Sequence, residues 1–153
     1  MNMNNIIHIN IEKAFRNLVN QTLLKSTANT VLKLLNENDF EITISIVGDK
    51  KIRELNNEFR SINSETDVLS FSANEINPET AKKYIGDVII SYPVAEIQSK
   101  VLHNQIRDEI NLLLVHGMLH LLGYDHGSDE EEKQMFAIQS KLTKLIKDFA
   151  EIY

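Results

Sequence analysis

Cysteine and tryptophan are absent from the 153 residues, and proline occurs only twice. Without cysteine the chain can form neither a disulfide framework nor a thiolate zinc site, so any metal must be held by histidine or carboxylate groups. The lack of disulfides also fits a reducing cytoplasm, which is where we expect the protein to act. With 42% hydrophobic and 25% charged residues, the composition is that of an ordinary globular protein.

Long apolar runs and an excess of basic residues are missing as well. No stretch of about 18 apolar residues occurs, and the N-terminal Met-Asn-Met-Asn-Asn lacks the basic start and apolar stretch of a secretion signal. We therefore expect no association with membranes. The formal net charge is −6, which argues against a broad basic surface that coats nucleic acid. Any nucleic acid must then be bound locally, in a small cleft.

Alternating and helical patterns of apolar residues predict one domain, residues 1–153, with an α/β or α+β fold. We expect a mixed sheet of about four strands, helices packed against it, and a buried, central helix. Asp49 is the expected N-cap of a short helix through Ile52, Leu55 and Phe59. The predicted strands lie at 5–11, 40–46, 67–71 and 85–91, and a long polar loop is predicted at 72–84.

Three of the five histidines lie within eleven residues, at His116, His120 and His126. Residues four apart in a helix share a face, so the first two can reach one ion. Gly123 can adopt the left-handed conformation that ends a helix, and the turn brings back His126 as a third ligand. Three imidazoles leave a fourth position for water, as in a catalytic zinc site. We therefore predict one Zn²⁺ ion per chain, held by these histidines.

The spacing of these histidines equals that of the metzincin peptidase motif H-E-x-x-H-x-x-G-x-x-H. One position differs, because Gly117 stands where the peptidase has the glutamate that activates the attacking water. The metal ligands are thus kept while the usual base of the peptidase is absent. A metallopeptidase with its base displaced, for instance to Asp125, is an alternative that the spacing leaves open.

The segment His116–His126 resembles the signature H-G-x-L-H-L-x-G-Y-D-H of the YbeY family of bacterial endoribonucleases. Leu55–Arg60 is similar to the family's L-N-x-x-(Y/F)-R, and Thr66–Phe71 is similar to T-D-V-L-S-F. Gly86–Ser91 is similar to G-D-(I/V)-x-I-S. The segments occur in the family's order, and the resemblance covers most of the chain.

This resemblance implies a zinc-dependent, single-strand-specific endoribonuclease in rRNA processing, at the 3′ end of the small-subunit rRNA, and in ribosome quality control. The implied partners are single-stranded RNA, ribosomal RNA and the small ribosomal subunit, and no DNA is expected. A non-enzymatic ribosome-assembly factor with a structural zinc ion is the other alternative.

Arg60 and His116 are the candidate catalytic residues of a reaction in which metal-bound water attacks the RNA phosphodiester. Arg60 matches the family's arginine, and its planar guanidinium suits the binding of phosphate; the alternative for a lone arginine is a surface ion pair. Asp67 and Asp87 are candidates for hydrogen-bonding the ligand histidines, or else for capping loops. Asp125 is a candidate for orienting the neighbouring ligand histidine or assisting proton transfer.

Overall fold

The computed structural model describes the backbone of residues 4–152 and the side chains of residues 4–148. The strands are β1 (Ile6–Ile11), β2 (Phe40–Val47), β3 (Val68–Ile76) and β4 (Lys83–Ser91). The helices are α1 (Gln21–Leu34), α2 (Asp49–Arg60), α3 (Tyr92–Val101), α4 (Ile106–Leu121) and α5 (Asp129–Ile152), and a short 3-10 turn covers Lys13–Phe15. The predicted mixed fold is confirmed. None of the helices within residues 4–152 combines the length and apolarity needed to span a bilayer.

The sheet has the strand order β1-β2-β4-β3. β1 pairs with β2 and β2 with β4 in parallel, whereas β3 runs antiparallel to β4 and forms an edge. Because side chains alternate along a strand, β2 places Ile42, Ile44 and Ile46 on one face, where they are completely buried. Helices α1, α4 and α5 cover this face. Helix α2 covers part of the opposite face, over Val47 and Leu69.

Segment 72–84 is not the long loop that the sequence predicts. Strands β3 and β4 extend into it as an antiparallel hairpin, in which Glu75 lies opposite Tyr84. The connection is thereby shortened to residues 77–82. The prediction was wrong because the added strand residues are mostly exposed or half-buried, and such a segment lacks the apolar alternation that marks a strand over a core.

The hairpin connection is tied to the sheet through the buried carboxylate of Glu41. This carboxylate accepts hydrogen bonds from Thr80 Oγ1 at 2.9 Å and from Asn77 Nδ2 at 3.3 Å. His8 Nε2 on the neighbouring strand β1 lies 2.8 Å away. The hydrogen bond with His8 is the main reason that the pKa of Glu41 is lower than its ordinary value. The connection is therefore anchored to β2 through Glu41, and His8 on β1 holds the same carboxylate.

Helix α2 begins one residue earlier than expected, because its N-cap is Gly48 and not Asp49. Asp49 is the first helical residue and lies in the first turn. Its carboxylate lies 3.5 Å from Ser91 Oγ. A carboxylate in the first turn still interacts favourably with the helix dipole.

Helix α4 lies in the middle of the main core, in contact with α1, α3, α5, β3 and β4. Its residues Leu114, Val115 and Met118 are completely buried. Gly117 faces the sheet, where an added Cβ would come within 2.7 Å of Val88 Cγ1. The glycine therefore allows α4 to lie directly against β4, and this packing fixes the orientation of the helix.

The free edge of β3 is partly occupied by side chains. Ser91 N donates to the Asp67 carbonyl at 2.9 Å. Because backbone groups alternate in direction along an antiparallel strand, those of Val68 and Ser70 point away from the sheet. Val68 N donates to Asp67 Oδ1 at 2.8 Å, and Arg60 Nη2 donates to the Ser70 carbonyl at 3.4 Å. Two outward-facing backbone groups thus have side-chain partners.

Candidate metal centre

Helix α4 and the turn after it bring three histidines together. The Nε2 atoms of His116 and His120 lie 3.2 Å apart. One ring nitrogen from each of these residues and from His126 lies within 4.8 Å of the others. Gly123 has a φ of +97°, and this left-handed conformation turns the chain after α4. Three convergent imidazole nitrogens are a donor set that suits Zn²⁺ and other divalent transition metals, so the residues fit a metal ion.

The environment of His120 favours its neutral form, which is the form that binds metals. His116 and His120 are half-buried, and His126 is exposed. Burial is the main reason that the pKa of His120 is lower than usual, and the charges of the two other histidines lower it further. Asp125 Oδ1 accepts a hydrogen bond from the backbone N–H of His126 at 2.7 Å, and so orients the turn that carries this histidine.

Gln139 on α5 also contacts the site, although the histidine motif does not include it. Its Oε1 accepts a hydrogen bond from His116 Nδ1 at 2.9 Å. In a neutral imidazole the proton that makes this bond is on Nδ1, so Nε2 is the atom that can bind a metal. The spacing of apolar residues in the sequence could have indicated Gln139. It lies four residues after Met135 and three residues before Leu142, and both of these side chains are buried. A polar side chain is thus placed on the inward stripe of a helix.

Replacing Gln139 with leucine is expected to weaken metal binding by about 10- to 100-fold, the usual effect of removing the outer partner of a ligand histidine. Gln139→Glu should retain most of the affinity, because a carboxylate also accepts from His116. Competition with a chromophoric zinc chelator measures both effects, with Ser140→Ala on the exposed side of α5 as the control. Equal affinities of Gln139→Leu and the wild type would contradict the orienting role.

Two of the three predicted carboxylates bond to groups other than the histidines. Asp67 accepts from the backbone of the next residue and from Gln98 Nε2 at 3.3 Å. Asp87 Oδ1 accepts a hydrogen bond from the hydroxyl group of Tyr84. The oxygen of this hydroxyl group lies 2.7 Å from Thr43 Oγ1. Burial and this carboxylate raise the pKa of Tyr84 to about 12. Among the described residues, neither aspartate hydrogen-bonds a histidine.

Arg60 lies at the C-terminal end of α2 and is exposed. It binds the carbonyl of Ser70 in β3. Two residues back along this strand, Val68 Cγ2 lies 3.5 Å from the Cβ position of Gly117, which directly follows His116. Arg60 is thus bound at the edge strand β3, which packs against the histidine helix through Val68 and against α2 on its other face. The ion pairs found within the described residues do not include Arg60, so the alternative of a surface ion pair is not what the structure shows.

Comparison with known proteins identifies the family. A family model described as Endoribonuclease YbeY matches residues 2–147. The chain belongs to the YbeY endoribonuclease family. This membership confirms the resemblance carried by the histidine segment and by the three segments that contain Arg60, Asp67 and Asp87.

Similar YbeY proteins match over most of their length. The endoribonuclease YbeY of Persephonella marina is 38% identical over 148 residues, which cover 96% of this chain and 95% of that protein. The one from Brevibacillus brevis is 39% identical over 153 residues, with 92% and 94% covered. The solution structure of TM1509 from Thermotoga maritima has a TM-score of 0.67 at 25% identity, and the match covers 95% of this chain and 92% of that chain.

Proposed function

We propose that the protein is a metal-dependent endoribonuclease that cleaves single-stranded RNA, with one Zn²⁺ ion held by His116, His120 and His126. The observation that carries this proposal is the convergence of three imidazole nitrogens within 4.8 Å in a chain of the YbeY endoribonuclease family. A zinc ion held by these histidines would lower the pKa of water to about 7 and would thus supply a nucleophile near neutral pH.

The protein side chains have separate tasks in this proposal. Gln139 and Asp125 orient His116 and the turn that carries His126. Arg60 binds a phosphate of the RNA, since its planar guanidinium matches phosphate oxygens and its present bond to a backbone carbonyl is long, at 3.4 Å. Cleavage concentrates negative charge on the phosphoryl oxygens, and the guanidinium stabilises that charge.

The proposed reaction is direct hydrolysis. Water attacks the phosphorus, the bond from phosphorus to the leaving ribose oxygen breaks, and that oxygen takes up a proton. The family motifs contain no additional histidine pair that would activate the ribose 2′-hydroxyl for an internal attack. If a 2′-deoxy substitution at the scissile position abolished cleavage, and cyclic phosphate products appeared with ordinary RNA, internal attack would replace this proposal.

We further propose that the physiological substrate is ribosomal RNA, at the 3′ end of the small-subunit rRNA, and that the protein contacts the small ribosomal subunit and takes part in ribosome quality control. It would act as a single domain in the cytoplasm and not on DNA. The net charge of −6 supports a binding mode in which the protein contributes a few local contacts. A larger assembly would then supply the remaining affinity.

Cleavage of a labelled single-stranded RNA by the purified protein tests the proposed activity. A chelator should abolish cleavage, and zinc should restore it; parallel additions of Mn²⁺ and Mg²⁺ would identify a different metal. A duplex of the same sequence should remain intact. Cleavage that persists in the chelator, or that is equal for the duplex, would contradict the proposal, and a lack of cleavage even with isolated small subunits would favour a non-enzymatic assembly factor.

A further inference from the structure

Phe59 lies on the packing stripe of α2 but is not covered. The stripe of Ile52, Leu55, Asn56 and Phe59 follows the i, i+3, i+4, i+7 spacing of a helix face that packs on a core. Ile52 and Asn56 are buried, whereas Phe59 is 60% exposed. The last turn of α2 reaches the edge strand β3, which Phe59 and Arg60 both contact. A large apolar side chain is thereby left facing solvent beside Arg60.

One aromatic neighbour holds the Phe59 ring. The ring centroids of Phe59 and Phe71 are 5.1 Å apart and the ring planes are tilted by 53°. Phe71 belongs to β3, where it is half-buried and lies opposite Asp87 of β4. This contact supports one side of the Phe59 ring and leaves much of the ring accessible. Because the ring is already held, little conformational entropy is lost when a planar group binds to it.

We propose that Phe59 is the side chain on which an unpaired base of the RNA substrate stacks, next to the phosphate that Arg60 binds. This inference rests on the proposed endoribonuclease function and names a recognition element beside Arg60, since both residues contact β3. Stacking tolerates every base but requires that the base be unpaired, so it favours single strands without reading their sequence. It also adds affinity without positive charge, which matters in a chain whose net charge is −6.

Tryptophan fluorescence tests this proposal directly, because the chain contains no tryptophan. Phe59→Trp introduces a single indole at the proposed stacking position. A ten-nucleotide single-stranded RNA, added in the presence of a chelator to prevent cleavage, should quench the fluorescence, and a duplex of the same sequence should not. Phe136→Trp is the matched control, because Phe136 is 49% exposed and lies among acidic residues on α5. Its fluorescence should not change.

Cleavage kinetics separate stacking from a structural role. Stacking of one base on an aromatic side chain typically changes affinity by about 5- to 150-fold. Phe59→Leu should therefore raise KM within that range with little change in kcat, whereas Phe59→Tyr should restore the wild-type KM. A purely structural role would be met by leucine about as well as by tyrosine.

The outcomes distinguish failure of this inference from failure of the proposed function. If the wild type cleaves RNA but Phe59→Trp is not quenched and Phe59→Leu has an unchanged KM, the stacking role alone is overturned. If the wild type neither binds nor cleaves RNA, both proposals are overturned. Quenching at Phe59→Trp together with a KM effect that tyrosine reverses supports the stacking role.

Discussion

RNA cleavage by a His116→Ala variant is expected to fall more than about a hundredfold below that of the wild type. Loss of a residue that only hydrogen-bonds a ligand histidine typically costs about 10- to 100-fold, and the loss of a ligand itself should cost more. The variant lacks one of the two helix-borne nitrogens that lie 3.2 Å apart. Two imidazoles remain, which is fewer than the three protein ligands of a catalytic zinc site. Zinc content measured on the same preparation should fall in parallel with activity.

The fold should survive the His116→Ala substitution, because this side chain is half-buried at the surface of α4 and not part of the apolar core. His103→Asn is the matched control. His103 is exposed and has a φ of +56°, a conformation that asparagine tolerates. Its activity should equal that of the wild type. Equal cleavage by wild type and His116→Ala would identify a contaminating ribonuclease as the source of activity and remove the support for the three-histidine site.

The Gly117→Glu substitution is expected to destabilise the protein by about 3 kcal/mol or more, without creating a peptidase. The substitution introduces the glutamate found in the peptidase motif. The Cβ atom of this glutamate would lie 2.7 Å from Val88 Cγ1 and 3.2 Å from Val88 Cγ2. Val88 is completely buried, so its methyl groups have little room to move. The glutamate would also be charged in the contact between α4 and β4. Urea denaturation measures the free energy of unfolding, and hydrolysis of casein measures peptidase activity.

A milder pair of substitutions tests whether the clash is the cause. In an exposed helix, Gly→Ala stabilises by about 1 kcal/mol; here Gly117→Ala should instead destabilise by about 1–3 kcal/mol. On a Val88→Ala background the same change should become neutral or stabilising, because the opposing methyl groups are gone. A coupling energy near zero in this double-mutant cycle would show that steric contact with Val88 does not explain the glycine. The glutamate of the peptidases would then be absent for another reason.

Gly117 also bears on the metallopeptidase alternative. In this fold the position of the peptidase base faces the sheet, while His116 and His120 lie on an adjacent side of the helix. A base for peptide hydrolysis would have to come from elsewhere, and Asp125 bonds to the backbone of His126. Peptide hydrolysis that is lost in His120→Ala would nevertheless establish that alternative.

Local patterns in the sequence were sufficient for the elements that have regular apolar spacing. The alternation of Ile42, Ile44 and Ile46 predicted β2, and all three are buried in the main core. The spacing of His116 and His120, with Gly123 after them, predicted a cluster that the structure brings within 4.8 Å once His126 is included. Such features depend on residues close in sequence, whose relative placement follows from helix and turn geometry.

Features that depend on distant segments were not predictable in the same way. Gln139 meets His116 only because α5 packs against α4, and the two residues are 23 apart in sequence. Asp67 and Asp87 stand in matching family segments, yet their hydrogen-bond partners follow from strand register and helix packing. The extended hairpin depends on strand pairing between exposed residues, for which side-chain polarity gives little indication.

The side-chain contacts along β3 also affect how the molecule behaves toward other copies of itself. An exposed strand edge offers unpaired backbone groups on which a further strand can add, and this is a common route to aggregation. Here the Val68 N–H donates a hydrogen bond to the Asp67 side chain, and the Ser70 carbonyl accepts one from Arg60. The arginine that we expect to bind RNA phosphate therefore also occupies a backbone acceptor that a further strand would need in order to pair with β3.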